Sequence, residues 1–422
     1  MRSTSASAGP RVLWAAYAQR GSVYPVVPVI AALRAAGAEI QLLGLEELRR
    51  IAELLDIDFT PYRTGISYDW SRADGRDRHG LGPAADPDWF NARVAAEFAE
   101  VQSAVEAFAP DVLLTDSFVT GAGLAAESMK LTWASYVHYL FDESAEVDAM
   151  HRIWWEREGL AEPEAYSLWW NSVRNALGLP DEGRPADEAP WYRMSPYRTF
   201  LLGHPHLRRG NRPKPTYVTR TSVPPWDEPL STTHQLIEGA TTRAKILVSN
   251  SATWQDDMRL VRAVFEGLAD RDLDLHVTVA AEHPVPHDIP GNATVHRYAQ
   301  HSFIVPQVDM VICSGGYGLV SKALWHGRPV VACPGRMDQP YVAEALVGAG
   351  CGVSVSSPPE SASIAAAVAR VLATPAIGER ATTLAGPQSG YPGAEACAQM
   401  ISDLAMSSIR PNTTSYGRFL YP

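Results

Sequence analysis

VDMVICSGGYGLVSKALWHGRPVVACPGRMDQPYVA, residues 308–343, reads as strand, glycine-rich turn, helix, strand and a second turn. The apolar run Val308–Cys313 ends at Ser314-Gly315-Gly316-Tyr317-Gly318 and opens into the amphipathic run Leu319–Trp325. Glycines there let a backbone approach a ligand closely. A helix that starts just past the turn presents unpaired N–H groups and the positive end of its dipole, a seat for a phosphate or diphosphate. Alone, such a turn fits any strand-to-helix connection of an α/β protein equally well. After Gly327-Arg328-Pro329, however, the strand Val330–Cys333 delivers a second polar turn, Asp338-Gln339-Pro340. Two ligand-facing turns at neighbouring strand ends make one crevice in a doubly wound sheet.

The pattern repeats outward from this stretch. Arg11–Ala16 reads as a strand, Gln19–Pro25 as a turn and Val26–Ala36 as a helix closed by Gly37. Further buried parallel strands are expected at Glu39–Leu43 and Val112–Thr115, with helices near Leu45–Leu55 and Asn91–Phe108. A second series starts at Lys245–Ser249 and continues through Leu275–Ala280, Val308–Cys313 and Val330–Cys333. Arg212–Pro229 holds five prolines and reads as a linker.

In these segments, in this order, the sequence resembles the family 1 nucleotide-sugar glycosyltransferases, especially the bacterial enzymes that decorate natural products. Residues 308–343 resemble their donor-binding signature, and Arg11–Ala36 their N-terminal opening. Pro110–Asp116 resembles the strand carrying their aspartate, and Val295–Pro306 the stretch that stacks on the donor base. The fold this implies is α/β of the GT-B type, two Rossmann-like doubly wound domains facing across a cleft. The expected division is an acceptor-binding domain at 1–215, a linker at 216–240, a nucleotide-sugar-binding domain at 241–395, and a C-terminal helix and tail at 396–422 that pack back on the first domain.

The resemblance also implies roles. Tyr298 would stack on the base with Gln300 beside it, Ser314, Gly315, Gly316, Tyr317, Gly318 and Leu319 would hold the diphosphate, and Asp338 with Gln339 would bond sugar hydroxyls. Ser251 and Thr253 are placed to add hydroxyl donors. Inverting relatives use a first-turn histidine as base, oriented by an aspartate. Here that histidine is Ser22, too weak an acid to serve unaided. Asp116 stands at the aspartate position, as a base or as a strand-end cap, and His138 is a candidate base or a packed core histidine. Two more departures fall in the donor signature: Ser314 where a histidine is common, and Lys322 where a glutamate binds ribose. A lysine cannot accept from ribose hydroxyls, although it can reach a phosphate.

Three readings therefore stand side by side: a transferase using an NDP-sugar, by preference a dTDP-deoxysugar, and a small apolar acceptor; a different enzyme reusing the cleft; or a non-catalytic partner of a true transferase. A sugar-nucleotide epimerase would want acidic residues after the glycines, and Leu319-Val320-Ser321-Lys322 supplies none. The acceptor side is read from Gly21, Tyr24, Trp154, Trp155, Trp169 and Trp170, since nine of the twelve tryptophans precede residue 200; plain helix packing accounts for any single one as well. Gly65–Pro87 and Phe141–Tyr197 read as irregular insertions.

Composition fits a two-domain globular enzyme: 422 residues exceed what one core usually holds, with 46% hydrophobic and 20% charged residues. A net charge of −11 without a Lys/Arg block argues against nucleic acid or an anionic membrane as partner. No metal-ligand spacing occurs and no metal or cofactor is expected, because a helix terminus can stand in for a divalent cation at the diphosphate. Cys313, Cys333, Cys351 and Cys397 are expected as buried free thiols. Without an apolar leader or a membrane-length run, a cytoplasmic protein is expected, with a homodimer or auxiliary protein left open.

Overall fold

The computed structural model describes residues 9–17, 20–63, 87–140, 163–182, 193–207, 217–229, 242–250, 258–279, 284–297, 299–335 and 338–407. The first domain carries β1 (Arg11–Ala15), α1 (Val27–Ala35), β2 (Glu39–Gly44), α2 (Arg49–Leu55), β3 (Asp58–Pro61), α3 (Pro87–Phe108), β4 (Val112–Asp116), α4 (Thr120–Ser128), β5 (Trp133–Val137), α5 (Pro163–Ala176), β6 (Arg198–Leu201) and β7 (Val218–Arg220). Its seven strands are all parallel, in the order β3-β2-β1-β4-β5-β6-β7. Continuous apolar runs such as Val12–Ala15 and Val112–Leu114 are buried on both faces, as a helix-covered parallel sheet requires.

The second domain carries β8 (Ala244–Ser249), α6 (Met258–Leu268), β9 (Leu273–Thr278), β10 (Ala293–His296), β11 (Met310–Cys313), α7 (Tyr317–Trp325), β12 (Val330–Ala332), α8 (Gln339–Gly348), β13 (Gly352–Ser354), α9 (Ser361–Ala373), α10 (Pro375–Thr383) and α11 (Ala394–Met406). Its parallel order is β10-β9-β8-β11-β12-β13. In both sheets the strand order reverses beside the first strand of the domain, between β1 and β4 and between β8 and β11. A crevice opens at the carboxyl ends of the strands at such a switch point. This is the GT-B architecture.

Three expectations are corrected. β7 lies inside the stretch read as linker, so the first sheet runs past residue 215. The Phe141–Tyr197 insertion contains a regular helix, α5, and Leu45–Leu55 is broken into a 3-10 turn at Glu46–Leu48 followed by α2. Of the Gly65–Pro87 insertion, residues 65–86 fall outside the described residues.

The last helix, α11, lies on the first domain, where Cys397, Ala398, Ile401 and Leu404 share one core with Val27, Ile30 and Leu33 of α1. All four cysteines are free and buried. Among the described residues no single helix is long and apolar enough to cross a membrane.

Candidate functional site

Each sheet delivers its chemistry at the carboxyl ends of its strands. In the second domain β11 leads into Ser314, which is buried, and the chain turns through Gly315 with φ at +80°, a conformation that suits glycine. A Cβ at Gly315 would lie 3.3 Å from the Gln339 carbonyl, so the two polar turns read from the sequence pack against each other. α7 then starts at Tyr317 with Gly316 as its N-cap, extended at φ −60° and with no side-chain cap. Beyond Gly316 and Gly318 there is open space. The first turn of α7 therefore has no side-chain cap and no atom within 4 Å of where a Cβ at its N-cap would lie, an arrangement that suits an anion.

The Tyr317 side chain is engaged within the protein. Its ring sits on Gly203, where a Cβ would come within 2.4 Å of it and where φ is +99°, and its hydroxyl donates to the Leu202 carbonyl at 3.1 Å. His204 adds two ties to the second domain: its N–H donates to Ser321 Oγ at 3.2 Å, and its Nε2 lies 2.9 Å from the Leu384 carbonyl. The Tyr317 ring thus fixes α7 against the first domain.

Lys322, by contrast, is corrected. Its ammonium pairs with Asp227, a residue of the proline-rich connector, whose Oδ2 also accepts the Ser302 N–H at 2.6 Å. Burial pushes the Asp227 carboxyl up, but Lys322, His301 and the bonds from Lys322 and Ser302 outweigh it and hold it below its usual range. The lysine charge is thus cancelled inside the protein rather than offered to a phosphate. Tyr24, expected to meet acceptor, joins the same strap: its ring packs edge-on against Trp226 at 4.9 Å and its hydroxyl donates to Glu228 at 3.2 Å. No sequence signal marked Asp227, because its partner lies 95 positions away.

Asp338 is 6% exposed and its carboxylate accepts the N–H of Leu140 from the first domain. Burial pushes it up to about 6, against the pull of that N–H, its own N–H and nearby His138. Its Oδ2 has no hydrogen-bond partner. Gln339 is buried, and its Oε1 accepts the Gly335 N–H at 2.8 Å, which makes the NH₂ the donor end of the amide.

On the facing side, β4 ends at Asp116 and the neighbouring β5 runs into His138. Asp116 Oδ1 accepts the Phe118 N–H at 2.8 Å, which is the strand-end cap that the sequence allowed. Its Oδ2 lies 3.1 Å from His138 Nδ1. The pair is close without hydrogen-bond alignment, and both His138 ring nitrogens are otherwise unpaired and buried. Phe118 and Tyr139 enclose the imidazole, with ring centroids 5.6 and 4.1 Å from it. Ser22, in the short helix Arg20–Val23 after β1, is buried.

Of the remaining candidates, Gly21 is exposed and Gln300 half-buried at the start of a short helix. Trp169 is half-buried, 5.7 Å from Phe90. Trp170 is corrected from acceptor wall to core, being fully buried with its indole N–H donated to Glu182 at 3.1 Å. Trp154, Trp155, Ser251, Thr253 and Tyr298 lie outside the described residues. Among the described residues no three His, Cys, Asp or Glu side chains are grouped to hold a metal ion.

Known proteins share this fold. Residues 262–404 match the family model described as Erythromycin biosynthesis protein CIII-like, C-terminal domain. The 4'-demethylrebeccamycin synthase of Lentzea aerocolonigenes is 25% identical over 371 residues, 82% of this chain and 87% of that protein. The glycotransferase of kitacinnamycin superposes with a TM-score of 0.75 at 18% identity, covering 94% of this chain and 99% of the other. A Streptomyces glycosyltransferase solved with thymidine diphosphate superposes at 0.64 and 18% identity, covering 93% and 99%. Fold and crevice together define a GT-B glycosyltransferase. Over most of its length the chain is similar to glycosyltransferases of bacterial natural-product biosynthesis.

Proposed function

We propose that the chain is a cytoplasmic inverting glycosyltransferase that moves a sugar, by preference a deoxysugar, from a dTDP-linked donor to an apolar or aromatic natural product, without a metal. The observation that carries this reading is the meeting of two groups in one crevice. An uncapped helix N-terminus opens beyond Gly316, and a buried carboxylate, Asp338, reaches the first domain beside it. The thymidine diphosphate held by a solved protein of the same fold supports the choice of donor.

In this reading the diphosphate lies on the N–H groups of residues 316–319, whose dipoles stabilise the negative charge that builds as the sugar–phosphate bond breaks. Asp338 and the Gln339 amide hold sugar hydroxyls, Tyr298 and Gln300 the base, and Ser251, Thr253 and Ser314 add hydroxyl donors. The acceptor oxygen attacks the anomeric carbon from the face opposite the departing diphosphate, which inverts the configuration.

Calorimetric titration with dTDP, UDP and GDP tests the donor site. Micromolar binding of dTDP is expected, weakened about 3- to 10-fold in Ser314→Ala by loss of one neutral hydrogen bond. Gly316→Asp is the sharper variant. The site at φ −60° with open space beyond accepts a side chain. An aspartate there caps the helix and adds only about 0.3 kcal/mol over glycine, yet sets a negative charge where the diphosphate belongs. Binding should fall on the order of 100-fold while the Tm does not drop. Unchanged dTDP binding in Gly316→Asp contradicts the site, and no binding of any nucleotide leaves a cleft reused for other chemistry.

A further inference from the structure

The first turn lacks a histidine, yet a buried histidine faces Asp116 from elsewhere. Resting on the transfer reading above, we propose that His138, supplied by the end of β5, accepts the proton of the attacking acceptor hydroxyl, with Asp116 as the residue that positions it. Nδ1 lies 3.1 Å from Asp116 Oδ2, and a proton held on that side leaves Nε2 as the acceptor. Asp116 cannot turn away, because its other oxygen is engaged by the Phe118 N–H. Nε2 is buried with no partner inside the protein. An unpaired buried polar atom is costly, and an arriving hydroxyl relieves that cost.

Placement matches the task as well. β4 and β5 are adjacent parallel strands, with Asp116 beside Tyr136, so the two ends bring Asp116 and His138 together at the cleft. The groups facing His138 are Asp116 from β4, Asp338 from the turn before α8, and Tyr139 with Phe118 around the ring. Asp338 is the group read as a sugar ligand, so the imidazole lies beside the place where the sugar would be held. In the step, the acceptor O–H proton passes to Nε2 and an oxygen lone pair forms the bond to the anomeric carbon. The bond from that carbon to the diphosphate oxygen breaks, and its electron pair leaves with the nucleotide. Ser22 takes no proton.

The test follows dTDP release from dTDP-glucose with a weakly acidic phenol (4-methylphenol) and a strongly acidic one (4-nitrophenol), with water alone as the baseline. His138→Gln is expected to lower kcat about 100- to 10,000-fold with 4-methylphenol and far less with 4-nitrophenol, which needs little help to ionise. Added imidazole should restore part of the rate to His138→Ala. Asp116→Asn should lower the rate with 4-methylphenol without imidazole rescue. Equal losses with both phenols and no rescue would reduce His138 to a packing residue. A loss concentrated in Ser22→Ala, with His138→Gln unaffected, would overturn the proposal. dTDP binding measured on the same proteins separates the two ideas: intact binding with an unchanged His138→Gln rate sinks only the base assignment. No dTDP release by the wild-type protein under any of these conditions sinks the transfer reading, and the proposal with it.

Discussion

Glu182→Ala is expected to lower the stability of the protein by about 3–5 kcal/mol, the usual cost of removing one partner from a buried ion pair. Glu182 Oε2 lies 3.1 Å from Arg174 Nη1 and 3.2 Å from Arg193 Nη1, and it also accepts the Trp170 indole N–H. Glu127 closes the other side of the same group, 2.6 Å from Arg174 Nη2 and in contact with Arg193. Both arginines are 2% exposed, so truncating Glu182 leaves two buried guanidinium groups sharing one carboxylate. The quartet joins α5 and the chain around Arg193 to α4, the helix that starts just beyond the Asp116 turn. Urea unfolding measures the loss, and Glu182→Gln, which keeps acceptors without the charge, should fall between. A loss below about 1 kcal/mol would mean that the group is open to water in solution.

Asp338→Asn is expected to act in the opposite direction on stability. Burial raises the Asp338 carboxyl to about 6 from an ordinary 3.8, so the native state holds that proton more tightly than the unfolded chain. The contribution of this group is therefore full below about pH 4, falls as pH rises toward 6, and stays lost above it. At the standard conversion the loss is on the order of 2–3 kcal/mol. Asparagine carries no charge to desolvate and can still accept the Leu140 N–H. Asp338→Asn should match the wild-type protein near pH 4 and exceed its stability by that amount at pH 7–8, in thermal melts across the range. If the carboxylate bonds sugar hydroxyls, the same variant loses a charge-assisted hydrogen bond, and kcat/KM should fall about 10- to 100-fold. Equal stability of the two proteins at pH 8 would remove the case for a buried, strained carboxylate.

The architecture was readable because parallel strands buried on both faces leave unbroken apolar runs, and because Gly315, at φ +80°, sits where the turn requires glycine. Side-chain engagement was not readable. Lys322 looks like a free cation in the sequence, and only the folded connector shows that Asp227 neutralises it. Trp170 and Trp169 are adjacent in an aromatic-rich stretch, yet helix geometry turns one wholly into the core and leaves the other half-buried. The approach of His138 to Asp116 depends on β4 and β5 being neighbours, a pairing that one sequence without its sheet order cannot reveal. β7 was missed because three residues on a sheet edge carry too little periodicity to stand out from a proline-rich connector.

The central claim is that this cleft transfers a sugar from a nucleotide diphosphate. Its most direct test is to incubate the protein with a dTDP-sugar and a panel of aromatic acceptors, then examine the products by mass spectrometry and NMR. The account predicts one added sugar per acceptor, one dTDP released for each, and an anomeric configuration opposite to that of the donor. Tight dTDP binding with no glycosylated product, or a product of retained configuration, would contradict it.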